Sequence, residues 1–274
     1  MISAKETEYL KETARQLRKD ILLMIFTSRS GHPGGALSCI DILCALYFKL
    51  MRIDPQKPDW PDRDRFILSK GHACPAWYSC LIRKGYMGRD TLFTLRQLGS
   101  RLQGHPDMNK ATGVDMTTGS LGQGLSAGVG MALAGKLDKK DYRVYVVVGD
   151  GEADEGQMWE AVMAAAKWKL DNLTVFMDYN GLQLDGDTET VMPLEPIGEK
   201  LRAFNWNTVE IDGHDMVQIV EAVEKARDTK GMPTWIIAKT VKGKGVSFME
   251  NDPDWHGKSP NEAQFHQAMG ELNA

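Results

Sequence analysis

The feature of this sequence that most constrains its fold is a set of short apolar runs, each ended abruptly by turn residues. Three runs are clear and two are weaker: "RVYVVV" (143–148), "LTVFMD" (173–178), "TWIIAK" (234–239), "WNTVEI" (206–211) and "RFILS" (65–69). Their hydrophobicity is continuous rather than alternating, and helix-length segments separate them. Strands of this kind are buried on both faces. The sequence therefore predicts an α/β fold with an open, mostly parallel sheet and helices on both faces.

Helical periodicity accounts for much of the remaining chain. It predicts a long first helix over residues 5–28 and a second helix from about residue 38 to 51. A third helix is predicted in "ACPAWYSCLIRKG", where Gly85 closes it. Two further helical stretches flank the loop at 99–120.

Composition limits the kinds of protein this chain can be. With 274 residues, 42% of them hydrophobic, we expect a single domain over 1–274, with 241–274 as a C-terminal extension. The net charge is −4 and Lys and Arg are dispersed, which leaves no footprint for nucleic acid. No run approaches the roughly 18 apolar residues of a membrane span, and the charged N-terminus lacks the apolar core of a signal peptide. We therefore expect a cytoplasmic protein whose four cysteines are reduced core residues.

Polar residues follow two consecutive predicted strands at the point where each strand ends. Asp150 lies between Gly149 and Gly151 after the first strand, and Asn180 follows the second strand one βα unit later. A right-handed crossover makes these strands parallel, so both side chains belong at the same edge of the sheet. With the carbonyl of Leu182 they supply half an octahedron of oxygen ligands for Mg²⁺. The helix after Gly151 favours a phosphate beside that ion.

The acidic stretch "GDGEADEG" has two other interpretations. An EF-hand starting at Asp150 fails, because it places Glu155 where that loop requires glycine and Ala161 where it requires glutamate. An acid-rich, solvated helix start is the structural alternative, since the helix dipole favours carboxylates there. The asparagine turn one βα unit later favours the metal site.

Histidines in glycine-flanked turns are a second signal. Four of the six histidines lie in such turns: His32, His72, His105 and His256. Imidazole titrates near neutral pH, so these turns indicate hydrogen-bond partners and proton carriers around one site. A zinc site is the rival, but no HExxH helix or nearby cysteine pair supports it. The glycine-rich stretch 117–130 is similar to a dinucleotide fingerprint but lacks the preceding strand. Its glycines fit equally the approach of the backbone to a flat ring or the close packing of two helices.

Taken together, these motifs resemble the transketolase family. "SGHPGGALS", "DRFILSKGHA", "GHPD", "TTGSLGQGLS", "GDGEADEG" with "YNG", and "LDG" follow one another as in the N-terminal third to half of transketolases. The resemblance extends from about residue 10 to 258, and "GDG" with "YNG" is similar to the thiamine diphosphate motif. It implies a thiamine diphosphate-binding fold of the diphosphate-binding domain type, with thiamine diphosphate and Mg²⁺ as cofactors.

The resemblance also implies roles for individual residues. The Mg²⁺ ligands would be Asp150, Asn180 and the carbonyl of Leu182. The cofactor contacts would be His72, Gly119, Leu121, Gly149, Asp150, Gly151 and Asn180. The catalytic set would be His32, His105 and His256 in the substrate channel, with Glu155 at the subunit interface. Ser120 stands where many members have proline, and "GEADEG" departs from the common form, but neither change removes a ligand.

Chain length is the larger departure from the family. Transketolases continue into a pyrimidine-binding domain and a third domain, whereas this chain ends at Ala274. The resemblance therefore implies the diphosphate-binding subunit of a split transketolase, with a separate C-terminal subunit in an α2β2 heterotetramer. Together they would move a two-carbon ketol unit from a ketose phosphate to an aldose phosphate. Two alternatives stay open: the α-type subunit of an enzyme that decarboxylates a 2-oxoacid or forms deoxyxylulose phosphate, and a non-catalytic thiamine diphosphate-binding module.

Overall fold

Parallel pairing of strands forms the centre of the protein. The computed structural model describes residues 2–273. Its strands are β1 (Arg65–Leu68), β2 (Val144–Gly149), β3 (Leu173–Tyr179), β4 (Leu182–Gln183), β5 (Gly186–Asp187), β6 (Asn207–Asp212) and β7 (Thr234–Lys239). The main sheet has the order β1-β2-β3-β7-β6, and each neighbouring pair is parallel. The predicted parallel sheet is confirmed, and all five of its strands lie at the predicted runs within one or two residues.

Helices cover both faces of this sheet. They are α1 (Ala4–Ser28), α2 (Pro33–Ala45), α3 (Cys74–Lys84), α4 (Gln123–Leu137), α5 (Gly156–Lys167), α6 (Thr188–Val191), α7 (Ile197–Ala203), α8 (Met216–Asp228) and α9 (Glu262–Glu271). Alternate residues of β2 enter different cores. Tyr145 and Val147 pack in the core that contains α1, α2, α3 and α8, while Val146 and Val148 pack with α4, α5 and α7. Both sides of the strand are buried, which explains its continuous hydrophobicity.

The secondary structure differs from the sequence-based expectation in four places. Helix α2 begins at Pro33 rather than near residue 38, because proline in the first helical turn sacrifices no hydrogen bond. After α2 the chain continues as a π-helix, Leu46–Leu50. The first of the two helical stretches around the 99–120 loop is the 3₁₀ helix Arg89–Thr94, and the second is α4. The antiparallel pair of β4 and β5 was not predicted.

One helical segment is apolar enough to cross a membrane by length and composition. It is Pro33–Leu50, with a mean hydropathy of 1.3 over 18 residues. The expectation that no run approaches this length is therefore wrong by this measure. The segment is 89% buried inside the protein and packs against both α1 and α3, so the core accounts for its hydrophobicity.

The residues after β7 pack back onto the first helix. The ring of Phe265 in α9 stacks on Phe26 of α1, with 4.2 Å between the ring centroids. The described part of the segment predicted as an extension, residues 241–273 of 241–274, is thus folded against the same core as the N-terminal helices. The two ends of the predicted domain, Met1 and Ala274, lie outside the described residues.

Candidate active site

A cleft opens at the carboxyl edge of the sheet, where β2 and β3 end side by side. Gly149 and Asp178 pair in register, so the two following turns leave the sheet together. The side chains that give the cleft its chemistry come from several segments of the chain: Lys70, His72, Asp150, Asn180, Lys242 and His256.

Asp150 joins the two turns. One carboxylate oxygen accepts hydrogen bonds from the backbone N–H groups of Asn180 (2.9 Å) and Gly181 (2.6 Å). The other accepts from the N–H of Gly151 at 2.8 Å. The side chain is buried, and burial together with nearby Asp178 raises the pKa of Asp150 to about 6. Ionisation of Asp150 is therefore less favourable in the folded protein than in water, and a bound cation would offset this loss of free energy.

The oxygen donors around Asp150 fit a hard divalent cation. Asn180 Oδ1 and the Leu182 carbonyl belong to the same turn, and both residues line the cleft with Asp150. Asn180 Oδ1 accepts from Leu182 N at 3.1 Å, and the Leu182 carbonyl accepts from Lys242 Nζ at 3.2 Å. Residues 2–273 contain no group of three or more His, Cys, Asp or Glu side chains that could hold a metal. One carboxylate with amide and carbonyl oxygens is instead a typical Mg²⁺ donor set.

A buried ion pair forms the floor of the cleft. Lys70 Nζ lies 2.5 Å from Asp178 Oδ2 and also donates to the carbonyl of Gly35. Ser38 and Thr240 donate their hydroxyl groups to the same carboxylate. Burial opposes both charges, but their mutual attraction raises the pKa of Lys70 and lowers that of Asp178. The floor is therefore fully ionised and hydrogen-bonded.

A second lysine lies above this floor. Lys242 is 2% exposed, and its ammonium contacts the carbonyls of Leu182 and Gln183 and, at 3.2 Å, Nδ1 of His256. Burial and repulsion from Lys70 lower the pKa of Lys242 to about 8. These contacts of the Lys242 ammonium include no carboxylate. Its positive charge therefore favours an anionic ligand in the cleft.

Three of the four predicted histidines meet at the mouth of the cleft. The ring centroids of His32, His72 and His256 lie 5.3 Å, 5.4 Å and 5.1 Å apart in the three pairs. Burial and the charge of Arg96 lower the pKa of His32 to about 4, and burial and Lys242 lower that of His256 to about 4. Burial and Lys70 hold the pKa of His72 well below its usual value. At neutral pH the three rings are neutral and offer both a donor and an acceptor nitrogen.

Comparison with known proteins identifies the family. Residues 8–272 match the family described as "Transketolase, thiamine diphosphate binding domain". The chain belongs to the transketolase family. It is 49% identical over 96% of both chains to "6-deoxy-6-sulfo-D-fructose transketolase subunit SqwG" of Clostridium sp. (strain MSTE9). It is 43% identical to an apulose-4-phosphate transketolase subunit of Phocaeicola vulgatus, over 98% of this chain and 95% of that one.

Longer transketolases share the same fold. The transketolase of Campylobacter jejuni superposes with a TM-score of 0.92 at 33% identity, over 97% of this chain and 43% of that chain. Human transketolase is 39% identical over 98% of this chain and 42% of its own length. The chain thus spans about two fifths of these transketolases.

Of the remaining residues implied by the transketolase motifs, only some line the cleft. Leu121 lines it, as do Gly149 and Gly151. His105 packs on Gly119, where a Cβ atom would lie 3.0 Å from the imidazole and where φ is +144°. His105 is exposed, and partial burial of its ring with the charge of Arg96 lowers its pKa. Glu155 precedes α5 as an exposed residue next to Gly122, so it lies outside the cleft lining.

Three features of this site were missed in the sequence. Lys70 and Lys242 precede glycine in "KGHA" and "KGKG", which was the available signal. Glu152 lies in the stretch "GDGEADEG", for which a solvated helix start was the structural alternative, but it is 3% exposed and accepts from the hydroxyl of Ser69 and from the N–H groups of Gly122 and Gly149. It joins the ends of β1 and β2 to the start of α4.

The glycine-rich stretch 117–130 packs closely against the sheet. A Cβ at Gly124 would lie 2.5 Å from Ser69 Oγ, and one at Gly128 would lie 2.6 Å from Val146 Cγ2. Gly124 and Gly128 therefore allow α4 to approach the sheet closely, a contact between helix and sheet that was not among the sequence-based interpretations.

Proposed function

We propose that this chain is the cofactor-binding subunit of a two-subunit transketolase that transfers a two-carbon ketol unit from a ketose phosphate to an aldose phosphate. The observation that carries the proposal is the junction of the two turns at Asp150, beside two lysines and three neutral histidines. The "subunit" names of relatives that match over almost their whole length support the division into two chains. The expected location in the cytoplasm stays a prediction.

The chain's own residues would hold the cofactor at its anionic end. Asp150, Asn180 and the Leu182 carbonyl would bind Mg²⁺, and the Lys242 ammonium would face the diphosphate. Thiamine diphosphate, when bound, supplies the chemistry that breaks and forms carbon–carbon bonds next to a carbonyl. The fold of the turns fixes where its diphosphate lies relative to the histidine cluster.

The histidines would act on the sugar. His32, His72 and His256 are neutral at physiological pH, so each can donate a hydrogen bond to one hydroxyl and accept one from another. Their acceptor nitrogens can also take up a proton from a sugar hydroxyl and return it. His105, exposed beside Gly119, would contact the sugar farther out in the channel.

An apolar outer surface supports the need for a partner subunit. Helix α4 has a single charged residue, Lys136, and a helix that is apolar all round belongs in an interior. Yet Leu137 on α4 and Met163 and Trp168 on or beside α5 are at least half exposed. We define this outer side of α4 and α5 as the α4–α5 face. In the proposed α2β2 heterotetramer the C-terminal subunit covers it, with Glu155 at its edge.

Reconstitution tests the proposed function. The chain is purified alone and co-expressed with a C-terminal transketolase subunit from the same source, and both samples are assayed for two-carbon transfer to ribose 5-phosphate. Donors are xylulose 5-phosphate and, given the name of the 49% identical relative, 6-deoxy-6-sulfofructose. We expect transfer only from the complex and only with thiamine diphosphate and Mg²⁺. Full activity of the lone chain, or none from a complex that binds the cofactor, would refute the proposal.

A further inference from the structure

A hydrogen-bonded chain outside the cleft connects helices α1 and α2 and the turn before α8 to the loop that carries Lys242. Arg18 of α1 forms a two-pronged ion pair with Asp41 of α2, at 3.1 Å and 2.5 Å. Asp41 Oδ2 lies 2.7 Å from Nδ1 of His214, just before α8. On the other side of the ring, the N–H of Val241 donates to His214 Nε2 at 2.9 Å. His214 was not among the predicted site residues.

The hydrogen-bond partners of His214 determine which nitrogen of its ring carries the proton. Because the Val241 N–H can only donate, Nε2 of His214 must accept, and the ring proton lies on Nδ1. That proton is donated to Asp41, whose ionised form is stabilised by Arg18. Asp41 and Arg18 are 4% and 8% exposed, so water competes little for these bonds. A carboxylate that accepts a hydrogen bond from one ring nitrogen fixes the orientation of the imidazole, and here it thereby fixes the position of the Nε2 acceptor.

The loop held by His214 determines where the Lys242 ammonium lies. Val241 immediately precedes Lys242, and the N–H of Gly243 donates to the carbonyl of Gly34 at 3.0 Å. The stem of Lys242 packs on Gly34, where a Cβ atom would lie 3.0 Å from Lys242 Cγ. The conformation of the Lys242 side chain is therefore restricted, and the position of its ammonium depends mainly on the position of the backbone.

We infer that His214 is a positioning residue that holds the Val241–Lys242 backbone so that the Lys242 ammonium faces the diphosphate of the cofactor. This inference rests on the proposed function for the identity of the ligand. It adds a residue that touches neither cofactor nor substrate and acts through Lys242.

Two substitutions separate the bonds on either side of the ring. His214→Gln retains an acceptor near the position of Nε2 for the Val241 N–H but loses the donor to Asp41. His214→Asn retains a donor near the position of Nδ1 for Asp41 but loses the acceptor. His266→Asn, at an exposed histidine of α9, is the matched control. All variants are studied in the complex with the partner subunit, together with Lys242→Met alone and combined with His214→Asn.

Two readouts are measured. Without cofactor, hydrogen–deuterium exchange of residues 241–243 should speed up in His214→Asn and remain near the original rate in His214→Gln and His266→Asn. With Mg²⁺, His214→Asn should bind thiamine diphosphate about tenfold more weakly, the effect of about one lost hydrogen bond, with a smaller change for thiamine monophosphate. In the Lys242→Met background, His214→Asn should have no further effect on affinity.

Unchanged exchange in His214→Asn, equal losses in both His214 variants, or an effect additive with Lys242→Met would overturn the inference. If the original complex does not bind thiamine diphosphate at all, the proposed function fails instead. The exchange comparison would in that case still decide whether His214 holds the loop.

Discussion

At the scale of single residues, the proposed cation site depends on the carboxylate of Asp150. In the unmodified protein, backbone N–H groups donate to both carboxylate oxygens of Asp150. The change Asp150→Asn removes the negative charge and turns an N–H₂ group toward some of these donors. We expect it to weaken thiamine diphosphate binding in the presence of Mg²⁺ by more than about 100-fold. Loss of a residue that only orients a metal ligand lowers affinity by about 10–100-fold, and loss of a ligand itself should lower it further. Calorimetric titration of the complex measures the affinity.

The control for this change is Asp138→Asn, at the exposed end of α4. It removes the same charge far from the cleft and should leave the affinity unchanged. Equal affinities for Asp150→Asn and the unmodified complex would contradict the cation site.

The histidine cluster predicts a pH dependence of stability. The folded protein holds the pKa of His32 and His256 at about 4, below the unfolded value of about 6.5. The unfolded chain therefore binds more protons in that window, and the free energy of unfolding should fall as pH drops from about 6.5 to about 4. Urea unfolding across this range should show a shallower slope for His32→Asn and His256→Asn, and the shallowest for the double variant. A slope unchanged by the double variant would contradict the buried, neutral state of these rings.

Site residues could be predicted from the sequence where the order of strands and helices along the chain determines which residues meet. Asp150 and Asn180 follow consecutive strands, so the topology of a parallel sheet brings them together. Lys242 and His214 could not be found in this way. Their roles arise from contacts with Leu182 and Asp41, and no short pattern in the chain encodes those pairings.

At the scale of elements, α4 contains two glycines with opposite surroundings. A Cβ at Gly128 would lie 2.6 Å from Val146, whereas nothing lies within 4 Å of one at Gly130. Gly128→Ala should push α4 away from the sheet and destabilise the protein by about 1–3 kcal/mol. Gly130→Ala should stabilise it by about 0.5–1 kcal/mol, because alanine is the better helix former. Denaturant unfolding of the two variants tests the pair, and a shift of the same sign in both would contradict this packing.

Elements were predictable where burial produces a long pattern. The strands of the main sheet are buried on both faces, so their apolar runs stand out from the helices between them. The pair β4 and β5 has two residues in each strand, too few for any periodicity. The π-helical turn Leu46–Leu50 continues the apolar run of the helix before it, with no glycine or proline between them, so the sequence carries no signal for the change.

At the scale of the whole molecule, the α4–α5 face should bind the partner subunit. Met163→Glu places a charge at a side chain that is 50% exposed here and would be desolvated in the complex. We expect the dissociation constant of the complex between the two subunits to rise at least about tenfold, with little change in the stability of the chain itself. Leu98→Glu is the control, at a fully exposed leucine in the loop that follows the 3₁₀ helix Arg89–Thr94. Sedimentation of the purified complexes measures both, and a Met163→Glu complex as tight as the control would show that the partner binds elsewhere.

The position of the bound cation tests the central claim most directly. The complex is crystallised with thiamine diphosphate and Mn²⁺, and the metal is located from its anomalous scattering. We expect one peak in contact with Asp150 Oδ, Asn180 Oδ1, the Leu182 carbonyl and two phosphate oxygens, with the Lys242 ammonium beside the diphosphate. A peak away from both turns, or a diphosphate outside the cleft, would contradict the cation site and the function proposed from it.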